Sequence, residues 1–348
     1  MNKESQDLHS PEESSQEKLG KLAVPELTLG KLAFLISIAM LLAFTGTVML
    51  LFAAIPLSIS FLLYGKKKAF VANGIVLIVC AGLMMTSQAF IVPFVGYCIA
   101  LIFGYLVASV VWRNESPVYG AVKNGLIVLA VIFTTLGAVE LTSPGLIKSS
   151  ITVVVVKQAT ALHKGFSETV GAQGEMIRLL QDLMEKPSTM VDQVMTYGAS
   201  SIVVLIFLTF WVGVFIVLKN APVWRSFQSY DHSAKDMVSF RMPFEMVWPL
   251  IAGLVLCVSH VYGVSGAWAN LIGANILFSL GVFYFFQGIG IFSELLTYWS
   301  IVGFFRTMFV LFVAMTSYEL LAIAGVLDTW IDFRRFFNKK NKSEGDIL

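Results

Sequence analysis

Apolar runs of eighteen or more residues recur along most of this chain, and they restrict its fold more than any other feature of the sequence. A helix needs about 20 apolar residues to cross the hydrocarbon core of a bilayer, and it satisfies its own backbone hydrogen bonds there. With 57% apolar and only 13% charged residues, the chain lacks the polar surface of a water-soluble protein. The sequence therefore predicts an all-α polytopic integral membrane protein, a helical bundle of about 8–10 transmembrane segments.

The apolar runs and the charges between them divide the chain into five predicted segments. Both ends have too few apolar residues to form a core, and the stretch after residue 142 has balanced charges with apolar residues at helical spacing. We expect a disordered acidic N-terminal tail at 1–30, an N-terminal membrane bundle at 31–142 and a C-terminal membrane bundle at 198–337, followed by a polar tail at 338–348. Between the two bundles we expect an amphipathic extracytoplasmic helical insert at 143–197, with an apolar stripe from Leu162 to Leu183.

Residues 32–64 form an apolar run that is too long for one crossing. A continuous helix of this length would measure about 50 Å, against a hydrocarbon core of about 30 Å. Gly46 lies in the middle of the run and Pro56 in its second half. The run therefore predicts a tight pair of short helices.

Basic residues mark the predicted cytoplasmic side of the membrane. Three lysines at 66–68 and the basic residues of the loop at 219–241 lie between apolar runs, and the positive-inside rule places such short loops in the cytoplasm. This orientation predicts a cytoplasmic N-terminus. The basic C-terminal tail reaches the same side only if the last apolar stretch makes an extra turn, so we expect a broken helix or hairpin between about residues 300 and 327.

Three amides lie within the apolar runs of the second half, at Asn270, Asn275 and Gln287. A polar side chain that faces lipid costs several kcal/mol, so we expect these groups to face the interior of the bundle. Two interpretations stay open. The amides could line a cavity and bind a substrate, or they could form hydrogen bonds between helices, which is the commoner use of buried amides.

The last apolar stretch ends in IAGVLDTWIDFRRFF, residues 323–337, which combines acidic, aromatic and basic residues. Its polar and aromatic members Asp328, Trp330, Asp332, Arg334 and Arg335 form a candidate cluster. Asp332 lies three residues before Arg335, a spacing that allows an ion pair on a helix. Tryptophan and arginine are typical of an anchor at the lipid headgroups, whereas an aspartate next to the apolar core favours an interface for a partner.

The sequence lacks the common catalytic and metal-binding patterns. It has no HExxH, no CxxC and no GxxxxGK[ST] loop. The GVSG at 263–266 resembles the nucleophile motif of rhomboid-type intramembrane proteases, but no histidine follows it to act as the base. The net charge of +2 gives no basic patch for nucleic acid. We therefore expect a protein that is not an enzyme and has no catalytic residue, no cofactor, no metal and no nucleic-acid partner.

Four local patterns together resemble the YybS-like family of bacterial membrane proteins. They are PLSISFLLYGKK at 56–67, AFIVPFVGYCIALIFGYLVA at 89–108, FFQGIGI at 285–291 and GVLDTWIDFR at 325–334. That family is similar in layout to the substrate-capture subunits of energy-coupling factor transporters and to the rod-shape protein MreD. The resemblance implies a bacterial cytoplasmic (inner) membrane protein with a compact bundle that could hold a solute pocket, and it assigns no catalytic residue.

Two hypotheses for function follow, and the sequence leaves both open. In the first, this lipid-embedded chain is a small-solute-binding transporter subunit that works with a partner energy-coupling ATPase module. In the second, it is a non-transporting membrane scaffold that recruits cell-envelope membrane proteins through its cytoplasmic tail and its outer insert.

Overall fold

The computed structural model describes residues 27–45, 47–87, 90–170 and 187–337. Within these ranges every regular element is helical, which confirms the all-α prediction. The helices are α1 (Leu29–Phe44), α2 (Thr47–Thr86), α3 (Ile91–Trp112), α4 (Pro117–Thr142), α5 (Leu146–Val170), α6 (Pro187–Lys219), α7 (Ala221–Trp224), α8 (Ala234–Val238), α9 (Val247–Val261, preceded by a 3-10 turn at Phe244–Met246), α10 (Ala267–Tyr298), α11 (Gly303–Thr316) and α12 (Tyr318–Ile331).

Among the described residues, six helices are long and apolar enough to cross a membrane, and the bent pair of α11 and α12 would make a seventh. The six candidate spans are Phe52–Thr86, Ile91–Trp112, Pro117–Thr142, Ser188–Lys219, Phe244–Val261 and Ala267–Tyr298. The apolar helix α1 is shorter than a span, and α2 contains a break at Gly65. The described residues therefore hold six or seven candidate spans, fewer than the predicted 8–10, because α1 is too short and both halves of α2 fall within one candidate span.

The break in α2 folds its two halves back on each other. Gly65 has a φ of +74°, a left-handed conformation that glycine adopts without a side-chain clash. The ring centroids of Phe61 and Phe70 are 4.9 Å apart, whereas nine residues of straight helix would separate them by about 13.5 Å. The predicted pair of short helices in residues 32–64 is confirmed as α1 and the first half of α2, although Pro56 lies inside α2 and does not end it.

The chain divides into two compact units. The first holds the described residues up to Arg113 together with Lys219–Tyr230, and the second holds Asn114–Leu218 and the described residues from Asp231 onward. In the first unit, Tyr97 Oη on α3 donates to Asn73 Oδ1 on α2 at 2.5 Å, and both side chains are fully buried. This hydrogen bond satisfies two polar groups inside an otherwise apolar helical core.

In the second unit, the long helix α10 packs against α9 on one side and α12 on another. Gly273 allows the first contact, because a Cβ added there would lie 2.6 Å from the carbonyl oxygen of Gly253 on α9. Such small residues let helices in membranes approach each other closely. Helix α10 carries two of the buried polar side chains of this unit, Gln287 and Ser293.

Helices α11 and α12 meet at Ser317 with a bend of 100° between their axes. This confirms the broken helix or hairpin that the charge bias predicted between residues 300 and 327. None of the residues of α11 is buried, whereas α12 buries Leu321, Gly325 and Asp328.

Several predicted features lie wholly or partly outside the described residues. The N-terminal tail is described only from residue 27, and the polar tail at 338–348 is not described. The described part of the predicted insert is helical, in α5 and the start of α6. Lys148 Nζ of α5 lies 3.4 Å from Asp192 Oδ1 of α6. The predicted apolar stripe from Leu162 to Leu183 lies outside the side chains that the structure describes.

Candidate functional site

Helices α10 and α12 lie close together because each has a glycine at the contact. A Cβ added to Gly288 would lie 1.9 Å from the carbonyl oxygen of Leu321, and one added to Gly325 would lie 2.0 Å from the carbonyl oxygen of Tyr284. Any larger residue at either position would force the two backbones apart. This close approach brings Gln287 of α10 next to Asp328 of α12.

Gln287 and Asp328 form the centre of a buried polar cluster, and their residues are 2% and 4% exposed. Gln287 Nε2 donates to Asp328 Oδ2 at 2.9 Å, and Gln287 Oε1 accepts a hydrogen bond from the backbone N–H of Met242 at 2.9 Å. Asp328 Oδ1 accepts from the backbone N–H of Phe333 at 2.8 Å. Because an amide donates and accepts at once, Gln287 links the segment before α9 to α12.

Arg334 completes this cluster from the segment that follows α12. Its Nη1 donates to the carbonyl oxygen of Val238 at 3.1 Å and to Glu294 Oε1 at 3.4 Å. Its Nη2 donates to the carbonyl oxygens of Phe240 at 2.9 Å and Gln287 at 3.3 Å. The planar guanidinium with its five N–H groups suits such a set of acceptors better than an ammonium group does. We call Gln287, Glu294, Asp328 and Arg334 the carboxyl-end cluster.

The charge of Arg334 is balanced by two carboxylates. Burial lowers the pKa of the Arg334 guanidinium, and the carboxylates of Glu294 and Asp328 oppose that shift. Arg334 Nε lies 3.9 Å from Asp328 Oδ2. Gly290 leaves the necessary space, because a Cβ there would lie 2.6 Å from Arg334 Nη2. A buried cation is tolerated only when it is paired and hydrogen-bonded in this way.

A second group of residues lies beside the cluster and faces outward. Arg241 Nη2 donates to Asp332 Oδ1 at 2.8 Å, and both side chains are about half exposed. Trp330 is 55% exposed, Phe336 is 65% exposed, and Arg335 is also exposed. We call these five residues the docking surface.

Asp332 has a φ of +47°, and its N–H donates to the carbonyl oxygen of Asp328 at 3.1 Å. Aspartate adopts this left-handed conformation more readily than most residues, and it ends α12 at Ile331. The helical spacing that would pair Asp332 with Arg335 is therefore absent. The predicted pair is wrong, and Arg241 is the ion partner of Asp332.

The structure divides the residues of the predicted interface cluster between these two groups. Asp328 and Arg334 are buried in the carboxyl-end cluster, while Trp330, Asp332 and Arg335 are at least partly exposed on the docking surface. Gln287, predicted to bind a substrate, is hydrogen-bonded to Asp328, predicted to belong to the interface cluster.

The three predicted substrate-binding amides do not share one site. Asn275 Oδ1 accepts from the N–H of Ser200, and its Nδ2 donates to the carbonyl oxygens of Thr196 and Leu271. Ser200 and Thr196 are the two backbone groups that a regular α-helix joins directly, so Asn275 ties α10 to α6. Gln287 is twelve positions further along α10, about 18 Å away, and Asn270 is partly exposed in the first turn of α10.

Grooves of the second unit are open and mostly apolar. One of about 570 Å³ adjoins Asn275 and is lined by Pro249, Leu271, Ile272, Asn275, Ile276, Ser279 and Leu280. Among the described residues, no three His, Cys, Asp or Glu side chains are grouped as a metal ion would require.

The sequence profile of a family described as "Predicted membrane protein (DUF2232)" matches residues 32–329. The chain belongs to this family. Comparisons with curated proteins and with solved structures found no match. The family description agrees with the multi-pass membrane protein that the apolar helices indicate, and the narrower resemblance to YybS-like proteins stays a prediction.

The DUF2232 region contains the contact between α10 and α12 and ends at residue 329, directly before Trp330. Gly288, Gly325, Gln287 and Asp328 lie inside the matched residues, and Arg334 lies beyond them. The structure therefore joins the matched region to the segment that follows it through the hydrogen bonds of Arg334.

Sequence reasoning missed three participants in this site. The sequence showed Arg241 only as one of the basic residues of a cytoplasmic loop, and it gave Glu294 no partner. A backbone N–H such as that of Met242 leaves no mark in a sequence. Their contacts join positions 40 or more residues apart, as the hydrogen bonds of Arg334 to Glu294 and of Arg241 to Asp332 show.

Proposed function

We propose that this DUF2232 protein is a non-enzymatic, non-transporting membrane scaffold, which recruits cell-envelope membrane proteins in the bacterial cytoplasmic membrane. The observation that carries the proposal is the docking surface, held in place by the buried carboxyl-end cluster. A surface fixed in this way loses little conformational entropy when a partner binds.

The composition of the docking surface favours a protein partner. Exposed tryptophan and arginine are the residue types that contribute most to binding energy in protein interfaces. Arg241 and Asp332 add a charge pair of both signs at its edge, which suits recognition of a specific partner. A surface that served only as an anchor for anionic lipid headgroups would gain nothing from the carboxylate.

The transporter hypothesis receives less support. A solute-binding subunit would need Asn270, Asn275 and Gln287 around one cavity. The amide groups of Asn275 and Gln287 are instead hydrogen-bonded to protein groups at two different heights on α10. A partner ATPase module therefore remains the alternative and not the favoured partner.

Co-purification tests the scaffold proposal. The full chain would be purified in mild detergent from its own membranes, and the recovered proteins would be quantified by mass spectrometry for the wild type and a Trp330→Ala/Arg335→Glu variant. We expect a defined set of cell-envelope membrane proteins with the wild type and at least a tenfold lower recovery with the variant, because tenfold corresponds to only about 1.4 kcal/mol. Trp248→Ala, which also removes a largely exposed tryptophan, is the matched control and should leave recovery unchanged.

Two outcomes would overturn the proposal. Recovery of an ATPase pair with a coupling subunit would establish the transporter alternative. Equal recovery of all partners with the variant and the wild type would mean that Trp330 and Arg335 contact lipid headgroups only.

A further inference from the structure

Three consecutive lysines lie at the break between the two halves of α2. Lys66, Lys67 and Lys68 follow Gly65 directly, and all three side chains are exposed. Lys66 Nζ lies 4.6 Å from the centroid of the Trp112 ring. Among the described residues, no carboxylate lies within ion-pair distance of these lysines. We call Lys66, Lys67 and Lys68 the lysine turn.

Trp112 holds Lys66 in place without changing its charge. The rings of Phe61 and Tyr105 meet the Trp112 ring edge-on, at centroid distances of 6.0 Å and 5.8 Å. An ammonium group over an aromatic ring at an exposed site gains about 0.5–1 kcal/mol. The indole carries no negative charge, so the lysine turn keeps three positive charges.

The described part of the first unit contains no acidic residue. Neither aspartate nor glutamate occurs in its residues 27–45, 47–87, 90–113 and 219–230. The positive-inside rule accounts for basic residues at this side of the membrane, but it does not require that acidic residues be absent. All carboxylate side chains of this unit belong to residues 1–26, which lie outside the described residues.

The chain enters the described part of the structure beside the lysine turn. Tyr64 Oη donates to the carbonyl oxygen of Thr28 at 2.7 Å, and α1 begins at the next residue, Leu29. Tyr64 is only two positions before Lys66. This hydrogen bond therefore fixes residue 28 at the same end of the unit as the lysine turn.

Residues 4–17 have the charge that complements the lysine turn. They include no lysine or arginine and five acidic residues, Glu4, Asp7, Glu12, Glu13 and Glu17. The stretch from Glu17 to Thr28, taken as a flexible chain of about eleven residues, has a root-mean-square span of about 18 Å. A ligand on a tether of this length has an effective concentration of the order of mM. We call residues 4–17 the acidic segment.

We propose that the acidic segment binds the lysine turn of its own chain and neutralises it. Each ion pair at an exposed site contributes about 1 kcal/mol or less, so the contact depends on several pairs and on the tether. The acidic segment brings five carboxylates on one chain, whereas separate lipid headgroups must be collected one at a time. The contact lies within the first unit and involves no residue of the docking surface.

Quenching of a fluorophore by Trp112 tests this contact, because an indole quenches a bimane label only at short range. The full chain, with alanine in place of Cys80, Cys98 and Cys257, would carry the neutral bimane label on Ser15→Cys in the acidic segment. It would be measured with one copy in each lipid nanodisc, in phosphatidylcholine with and without phosphatidylglycerol. Trp112→Phe is the matched control, since it removes the quencher and keeps the lysines.

We expect the bimane fluorescence to be roughly twofold lower with Trp112 than with Trp112→Phe in both lipid mixtures. This difference should vanish in the variant Lys66→Gln/Lys67→Gln/Lys68→Gln. It should also vanish at about 1 M sodium chloride, where the Debye length is about 3 Å. Arginine at the same three positions keeps the charge and should retain the quenching. The lysines are exposed, so both triple variants should fold, which gel filtration in detergent checks.

Three results would overturn the proposal. Equal fluorescence with Trp112 and with Trp112→Phe would mean that the acidic segment does not reach the lysine turn. Quenching that persists in the glutamine variant would mean that charge does not hold the segment there. Quenching that disappears when phosphatidylglycerol is added would make anionic lipid headgroups the occupant. None of these results involves Trp330 or Arg335, so the scaffold function stands or fails separately.

Discussion

Arg334 and Arg335 are adjacent in the chain and have opposite surroundings. Arg334 is buried among two carboxylates and three backbone carbonyl oxygens, and Arg335 is exposed. The difference arises because the left-handed residue Asp332 turns the chain after α12 and directs the next segment back onto α10. One arginine therefore stabilises the fold, and the other remains available for a partner.

We expect Arg334→Met to destabilise the protein by about 3–5 kcal/mol, because it leaves the buried carboxylate of Asp328 and the partly buried carboxylate of Glu294 without their cation. Arg334→Lys should also destabilise it, since a single ammonium group cannot serve the same acceptors. Thermal unfolding in one detergent measures both effects. The matched control is Arg335→Met, which should change stability by less than about 0.5 kcal/mol, and equal effects at 334 and 335 would contradict the assigned roles.

Asn275 gives a second prediction at the residue scale. Asn275→Leu should lower the thermal unfolding midpoint modestly, because hydrogen bonds between membrane helices contribute on average about 0.6 kcal/mol each. The same substitution at Asn270, which is partly exposed in the same helix, serves as the control. If Asn270→Leu destabilises the protein as much as Asn275→Leu does, Asn275 has no special part in joining α10 to α6.

At the scale of elements, glycines decide which helices approach closely. Gly281 and Gly288 lie seven residues apart on α10, and only the second contacts another backbone. Nothing lies within 4 Å of a Cβ added at Gly281, whereas one at Gly288 would overlap the carbonyl oxygen of Leu321. The contact of α10 with α12, and with it the position of the carboxyl-end cluster, depends on that difference.

Gly288→Ala and Gly325→Ala should each destabilise the protein by about 1–3 kcal/mol through overpacking. Gly281→Ala should stabilise it by up to about 1 kcal/mol, because alanine is the better helix former. Thermal unfolding of the three variants in the same detergent compares them. A Gly288→Ala protein as stable as the Gly281→Ala protein would show that α10 and α12 are further apart than described.

The helices themselves could be predicted from the sequence, and their contacts could not. Apolar runs give the spans directly, and the basic tail predicted the break now found at Ser317. Gln287 and Asp328 were recognised as polar residues in apolar surroundings, but they were assigned to different roles. Their hydrogen bond joins positions 41 residues apart, and no local periodicity carries information about such a pairing.

At the scale of the whole molecule, the contacts of the segment after α12 determine where the docking surface lies. Arg334 contacts Glu294 and the ring of Phe337 contacts that of Tyr298, so this segment lies at the same end of α10 as Trp299. The basic residues that follow α12 are then on the side that the positive-inside rule predicts. One topology thus accounts for both the charge bias and the contacts of Arg334.

Labelling of single cysteines with a membrane-impermeant maleimide, in intact and in permeabilised cells, tests this topology most directly. The background chain carries alanine in place of Cys80, Cys98 and Cys257, and the probes are Val264→Cys, Trp299→Cys and Phe336→Cys, all at exposed positions. We expect the probes at 299 and 336 to react from the same side and the probe at 264 from the opposite side. A probe at 336 that reacts from the same side as the probe at 264 would contradict the placement of the docking surface at the carboxyl end of α10.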